Sequence, residues 1–195
     1  MIRIHITYTM KNLISVTTIG ALLFSIAAFA EEGAGQAKEL PGNMVANGGF
    51  ELTDQASKKP ADWNPGNNAA VNSVLEVVKD STGAHSGTSY LKIQVPAGEN
   101  AALIFPKEHM ILQPGTEYEL VVWVRGTGTF RLLVSQYAKS AFVSSVGAAS
   151  LSEATPQWER YSLSYQLPEE IEDVCVALQS TGEIEYDSLW FGPKK

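Results

Sequence analysis

Between Val74 and Phe191 the apolar residues fall into short runs: Val74–Val78, Tyr90–Val95, Ala101–Phe105, Tyr118–Val124, Phe130–Tyr137, Trp158–Leu167, Val174–Leu178 and Ile184–Phe191. Asn47-Gly48-Gly49, Asn64-Pro65-Gly66, Ser86-Gly87, Pro96-Ala97-Gly98, Gln113-Pro114-Gly115 and Gly126-Thr127-Gly128 punctuate the chain and read as turns or bulges. Runs of about five to eight residues, rich in Val, Tyr, Phe and Trp, predict strands. Their spacing predicts an all-β, two-sheet antiparallel sandwich or jelly roll. No stretch carries a long apolar stripe at helical spacing, and no internal repeat is visible. In Glu119–Arg125, Leu120, Val122 and Val124 share one side and are assigned to the core. In Arg131–Tyr137 the set Leu132, Val134, Gln136 opposes Arg131, Leu133, Ser135, Tyr137, and the pattern selects neither. Val174, Val176 and Leu178 oppose the smaller, more polar Cys175, Ala177 and Gln179, a face suited to a shallow groove.

The N-terminal region has a different pattern. Residues 1–30 carry Arg3 and Lys11, an interrupted apolar run from Leu13 to Phe29, and Ala28-Phe29-Ala30, a small-x-small site that a signal peptidase accepts. This predicts a cleaved signal peptide and a secreted or periplasmic protein with no stable membrane insertion afterwards. Met10-Lys11-Asn12 is an equally good start of the leader as Met1. Residues 31–42 show no periodicity and read as a flexible lead-in, with the folded domain at 43–195. Loss of residues 1–30 removes two basic and no acidic residues, taking the net charge from −7 to −9.

Composition narrows the chemistry. A chain of 195 residues that is 45% hydrophobic and 18% charged is enough for one globular domain. A single cysteine excludes an internal disulfide framework and CxxC-type metal or redox sites. The acidic balance argues against nucleic acid, whose binding rests on Lys and Arg against phosphates. Glycosidase chemistry needs two carboxyl groups facing each other across a cleft. Glu169-Glu170, Glu172-Asp173 and Glu183-Ile184-Glu185 cluster in solvated runs instead, so the chain is read as non-catalytic. Trp63, Trp123, Trp158 and Trp190 lie beside strands and are assigned to packing. His85 is read as a turn residue, and His109 has no neighbouring nucleophile. Cys175 alternates with valines and packs as a small apolar side chain, or pairs between molecules.

Asn47-Gly48-Gly49-Phe50-Glu51, followed by Ala61-Asp62-Trp63, resembles the opening of carbohydrate-binding modules of families 4, 9 and 22. The likeness continues in family order through Gly83-Ala84-His85-Ser86-Gly87-Thr88-Ser89-Tyr90-Leu91, Leu112–Tyr118, Val122-Trp123-Val124-Arg125-Gly126, Trp158-Glu159-Arg160-Tyr161 and Ile184-Glu185-Tyr186-Asp187-Ser188-Leu189. The resemblance implies a galactose-binding-like jelly roll that binds a polysaccharide or oligosaccharide without cutting it, commonly as an appendage of glycoside hydrolases. The alternative is an extracellular or envelope scaffold domain of the same fold that has lost glycan recognition.

Two sites follow from the resemblance. One is a structural calcium site with Gly49 and Ser89 through main-chain oxygens, Glu51 and Asp187 through carboxylates, and Ser86 beside them. A hard cation takes six to eight oxygens, which carboxylates from distant segments can share. The other is a sugar groove on one sheet face, with Tyr137 stacking on a pyranose ring, Gln179, Arg125 and Arg131 as polar partners, and Phe142 as a second aromatic. Where some members carry a tryptophan and an acid before Ala101–Phe105, this chain has Gly98-Glu99-Asn100-Ala101-Ala102.

Overall fold

A computed structural model of the protein describes residues 41–66 and 72–195. The expected leader and most of the lead-in lie outside the described residues. Among the described residues there are ten strands: β1 (Trp63–Pro65), β2 (Val74–Lys79), β3 (Ser89–Val95), β4 (Ala102–Pro106), β5 (Glu117–Gly126), β6 (Thr129–Ala138), β7 (Ala141–Gly147), β8 (Ser152–Glu153), β9 (Glu159–Gln166) and β10 (Asp173–Pro193). All described pairings are antiparallel. One sheet runs β1-β4-β10-β6, with β7 and β8 both on the far side of β6. The other runs β2-β3-β10-β5-β9. The expected two-sheet, all-β jelly roll is therefore the observed architecture.

The sheets share β10. Its first half, Asp173–Thr181, pairs with β6, and its second half pairs with β3 and β5. The turn expected at Gly126-Thr127-Gly128 is not a reversal, because β5 and β6 both run antiparallel to the same strand. The chain instead turns a corner there from one sheet to the other, beside the matching bend at Thr181-Gly182. Val174–Leu178 and Ile184–Phe191, read as separate segments, are one bent strand for the same reason. Side chains do not fit at this corner. A Cβ on Gly128 would lie 1.9 Å from the Thr181 carbonyl oxygen and one on Gly126 2.2 Å from that of Glu183, while Gly182 holds φ at +67°.

Alternation fills the space between the sheets. Ile93, Ile104, Leu120, Val122, Val124, Val134, Val176, Leu178 and Ile184 are fully buried, each such side chain contributing about 1.5–3 kcal/mol. Phe130 meets Tyr161 and Tyr186 edge-on at 4.6 and 6.3 Å, joining the layers. The Arg131–Tyr137 ambiguity resolves with Gln136 inward. Its amide donates to the Tyr165 hydroxyl at 3.0 Å and accepts from Ser144 at 2.6 Å, which compensates its burial. β7 was not foreseen. It is an edge strand exposed along nearly its whole length, so no alternation marks it, and Phe142 stands on it.

The Asn47-Gly48-Gly49-Phe50-Glu51 segment lies along the end of β10. Gly48 accepts a hydrogen bond from the Leu189 amide at 2.9 Å, and the Asn43 side chain donates to the Leu189 carbonyl and accepts from the Phe191 amide. Asn47, buried, donates to the Leu52 and Ala61 carbonyls at 2.8 and 2.9 Å and fixes the turn. Phe50 packs on Trp63 with ring centroids 5.2 Å apart. These contacts carry Glu51 to the neighbourhood of Asp187.

Candidate functional site

The outer face of the first sheet follows from register. With Val174, Val176 and Leu178 inward, Asp173, Cys175, Ala177 and Gln179 share the opposite side of β10, and Arg131, Leu133, Ser135 and Tyr137 do so on β6. Pairing sets Asp173 against Tyr137, Cys175 against Ser135, Ala177 against Leu133, and Gln179 between Arg131 and Leu103 of β4. Cys175 and Ala177 are small and, although they lie outside the core cluster, are buried beneath their neighbours. At one end Arg131 donates from Nε and Nη2 to the Gln179 amide oxygen at 3.0 and 2.6 Å. Among the described residues neither side chain has a further partner, so the pair presents planar N–H donors to the face.

Tyr137 marks the other end. Phe142 stands opposite it in register, its ring edge-on at 5.8 Å and 60% exposed. The other neighbour is His109, 4.1 Å from the Tyr137 ring and tilted by 37°, with Nδ1 2.6 Å from Asp173 Oδ1. Reciprocal main-chain hydrogen bonds between Met110 and Val174, at 2.7 and 3.0 Å, hold His109 there. Burial pushes the Tyr137 hydroxyl above its ordinary value, so the phenol stays neutral. The structure thus brings Tyr137, Phe142, Arg131 and Gln179 onto one face and adds His109, which the sequence reading had left without a role. It does not bring Arg125 there. Arg125 precedes the corner, lies on the second sheet over Trp158 and Tyr90 at 4.5 and 5.2 Å, and pairs with Glu185.

The second cluster joins the first and last segments. Glu51 Oε1 accepts from the Thr88 and Ser89 amides at 2.7 and 3.1 Å, and Oε2 from their hydroxyls at 2.6 and 3.1 Å. A Cβ on Gly87 would lie 2.0 Å from Glu51 Oε1, so the turn admits the carboxylate only through glycine. Asp187 is fully buried and accepts from the Ser86 amide at 2.9 Å and the Ser188 amide at 2.5 Å. A β-bulge after Asp187, with Ser188 at φ +53°, presents the carboxylate to this turn. Burial pushes Asp187 up to about 6, and the negative charge of Glu51 adds to the rise. Ser86 reaches Ser188 hydroxyl to hydroxyl at 2.7 Å, and Ser188 meets His85 Nδ1 at 3.1 Å. Glu51, Ser86, Ser89 and Asp187 are therefore together as expected. Gly49 is in the same segment as Glu51, its Cβ position 3.8 Å from the Glu51 side chain. Among the described residues no three His, Cys, Asp or Glu side chains are arranged to hold a metal ion. All the candidate ligands are oxygens, as a hard cation takes, and the charge of Glu51 acts on Asp187, while both carboxylates are engaged by amide and hydroxyl donors.

The acidic runs are engaged elsewhere. A hydrogen bond from Lys92, with another from Gln94, holds Glu183 below the usual carboxylate range, opposite to the shift a general acid needs. Glu172 accepts from the Lys139 amide at 2.8 Å. Burial pushes the Cys175 thiol up to about 12, and Sγ lies 3.5 Å from the Pro106 carbonyl. A soluble aromatic disulfide reagent is therefore expected to label Cys175 only at the rate of unfolding. Stoichiometric labelling of the native protein within the mixing time would contradict this.

A jelly roll that gathers aromatic rings and planar polar groups on one sheet face is suited to sugar rings and their hydroxyls. Residues 42–187 match the family described as carbohydrate binding domain, and the chain belongs to that family. No curated protein matches the sequence significantly. Among solved structures, the enzymatically active domain of tailspike protein 4 of bacteriophage CBA120 is similar, with TM-score 0.62 and 18% identity, covering 78% of this chain and 21% of that one. The CBM22-1 xylan-binding domain of Paenibacillus barcinonensis Xyn10C gives TM-score 0.54 and 12% identity, with 75% and 92% covered. A family 61 module, TmCBM61, in complex with β-1,4-galactotriose gives TM-score 0.51 and 16% identity, with 78% and 99% covered. At these identities the likeness is one of fold. The chain spans about a fifth of the tailspike structure and about a quarter of a xylanase structure, covering 26%, that it also matches.

Proposed function

We propose that this carbohydrate-binding module holds a polysaccharide, of the β-glucan, xylan or galactan kind, on the outer face of the first sheet. Tyr137 and Phe142 supply apolar ring surface for pyranose faces, and Arg131 and Gln179 supply donors for hydroxyls. The observation that carries the reading is that exposed Phe142, Tyr137 and the Arg131–Gln179 pair share one sheet face. Arg125 has no part in it. Calcium bound by Glu51, Asp187, Ser86 and the main-chain oxygens of Gly49 and Ser89 would neutralise the two carboxylates and fasten the first segment to the last strand. The module acts outside the cytoplasm after cleavage behind Ala30, so the N-terminus of the mature protein is expected at Glu31.

One observation favours the scaffold alternative: His109 already covers part of the Tyr137 ring. Affinity electrophoresis against soluble β-glucan, xylan and galactan separates the two readings. Retardation on at least one polymer, reduced roughly tenfold or more in affinity by Tyr137→Ala and by Phe142→Ala, is the expected result, given the contribution of about 1–3 kcal/mol per stacked ring. A folded protein that migrates alike with and without every polymer would establish the scaffold reading instead.

A further inference from the structure

Beside His109 the surface opens into a cavity of about 280 Å³. It lies between the opening segment around Val45 and Ala46 and the segment Pro106–Met110 that continues β4. Val45, Pro106 and Met110 line it and are buried, so its inner end is closed by the core and apolar. Asp62, Lys107, Glu108 and His109 line it and are exposed, so its rim is polar and of mixed charge. That volume lies at the low end of small-molecule pockets, roughly 300–1,000 Å³, which suits a short terminal stretch of a glycan rather than a long one. An apolar floor suits the C–H face of a pyranose ring. The rim offers carboxylate acceptors and the Lys107 ammonium as a donor, which vicinal hydroxyls, donors and acceptors at once, can meet. His109 belongs to both places: it lines the cavity and stacks against Tyr137 at the end of the outer face.

We propose that this cavity receives the terminal sugar of the chain lying across the first sheet, which makes the module a binder of glycan ends. The inference rests on the carbohydrate-binding reading above and adds its mode. A glycan running from the Arg131–Gln179 end past Tyr137 reaches His109 and then a blind recess. A chain end fits such a recess, and a continuing chain does not.

Titration calorimetry with xylo-, cello- and β-1,4-galacto-oligosaccharides of three to six units, and with the parent polymers, tests it. For whichever series binds, one module per chain is expected at every length, with affinity per chain that stops rising once the face is spanned. Ala46→Trp, at an exposed lining position, is expected to fill the cavity and lower affinity at least tenfold for all lengths, with the thermal midpoint as the folding control. Asp62→Asn, also exposed and tolerant of the φ of +64° found there, should weaken binding in the same direction. Modules per chain rising with chain length, or Ala46→Trp and Asp62→Asn both binding as the parent does, would overturn end recognition while leaving carbohydrate binding standing. Absence of binding in every series and polymer removes the underlying reading, and this inference with it.

Discussion

Gly128→Ala is expected to prevent folding or to cost more than about 4 kcal/mol, whereas Gly98→Ala and Gly115→Ala should each cost only about 1–2 kcal/mol. The three positions differ in what a methyl group meets. At Gly98 and Gly115, φ is +85° and +77° and nothing lies within 4 Å of the added carbon, so the penalty is the left-handed backbone alone. At Gly128 the carbon would sit 1.9 Å from the Thr181 oxygen, 2.9 Å from its carbonyl carbon and 3.0 Å from the Gly182 Cα. All three are main-chain atoms, and no side chain can swing aside. Relief requires parting β6 from β10 where β10 bends from one sheet to the other, which breaks the register that sets Tyr137 opposite Asp173 and Gln179 opposite Arg131. Soluble yield and chemical-denaturation midpoints of the three variants provide the measurement. Gly128→Ala within about 1 kcal/mol of the parent would show that the corner is looser than this packing implies.

That corner also explains what could be read from the sequence. Leu120, Val122 and Val124 were legible as core because β5 buries one apolar face and leaves Glu119 and Arg125 on the other. β6 was not, because polarity misleads at two positions. Gln136 is inward and satisfied by Tyr165 and Ser144, while the outward Leu133 lies against Gly147 of β7. Glycines flanking a threonine look like a reversal locally. Only pairing with β10, some fifty residues later, makes them a bend, and that pairing is a tertiary fact. The consequence reaches the site: Arg125 and Arg131 are close in sequence but fall on different sheets, so one belongs to the aromatic face and the other does not. His109 was illegible for a related reason. Its position depends on the Met110–Val174 bridge, which no periodicity in Lys107–Leu112 announces. Glu51 and Asp187 were legible because family-like blocks at both ends of the domain named them, and the Asn43 and Gly48 contacts to β10 supply the physical cause.

In the presence of chelator the protein is expected to lose stability as pH rises from about 4 to about 7, and calcium should restore it only on the alkaline side. The sign follows from Asp187. Its carboxyl is pushed up to about 6 in the folded protein from an ordinary 3.8, so between those values the folded state holds a proton that the unfolded chain has released. The stabilisation is complete below about 4 and is lost through about 6. A difference of roughly two pH units corresponds to about 3 kcal/mol, or roughly 6–12 °C in midpoint for a domain of this size. Exposed Asp54 and Asp80, held below the usual range by hydrogen bonds from Ser57 and Thr82, act with the opposite sign at lower pH, and His85, which burial holds below its ordinary value, does so within the window itself. The discriminating quantity is therefore the difference in slope between the parent and Asp187→Asn. The substitution removes the proton-linked loss, although its amide must turn an N–H toward either the Ser86 or the Ser188 amide and so lowers the midpoint at every pH. Calcium competes with that proton. At a hundredfold excess over its dissociation constant it should add about 2.7 kcal/mol to the parent at pH 7.5, little at pH 4.5, and little to Asp187→Asn at either. Equal pH slopes for parent and variant would place Asp187 in a more solvated setting than full burial implies. A sloped chelator profile that saturating calcium leaves unmoved at pH 7.5 would mean that the two carboxylates bear their repulsion unaided, with the clasp between first segment and last strand made by hydrogen bonds alone.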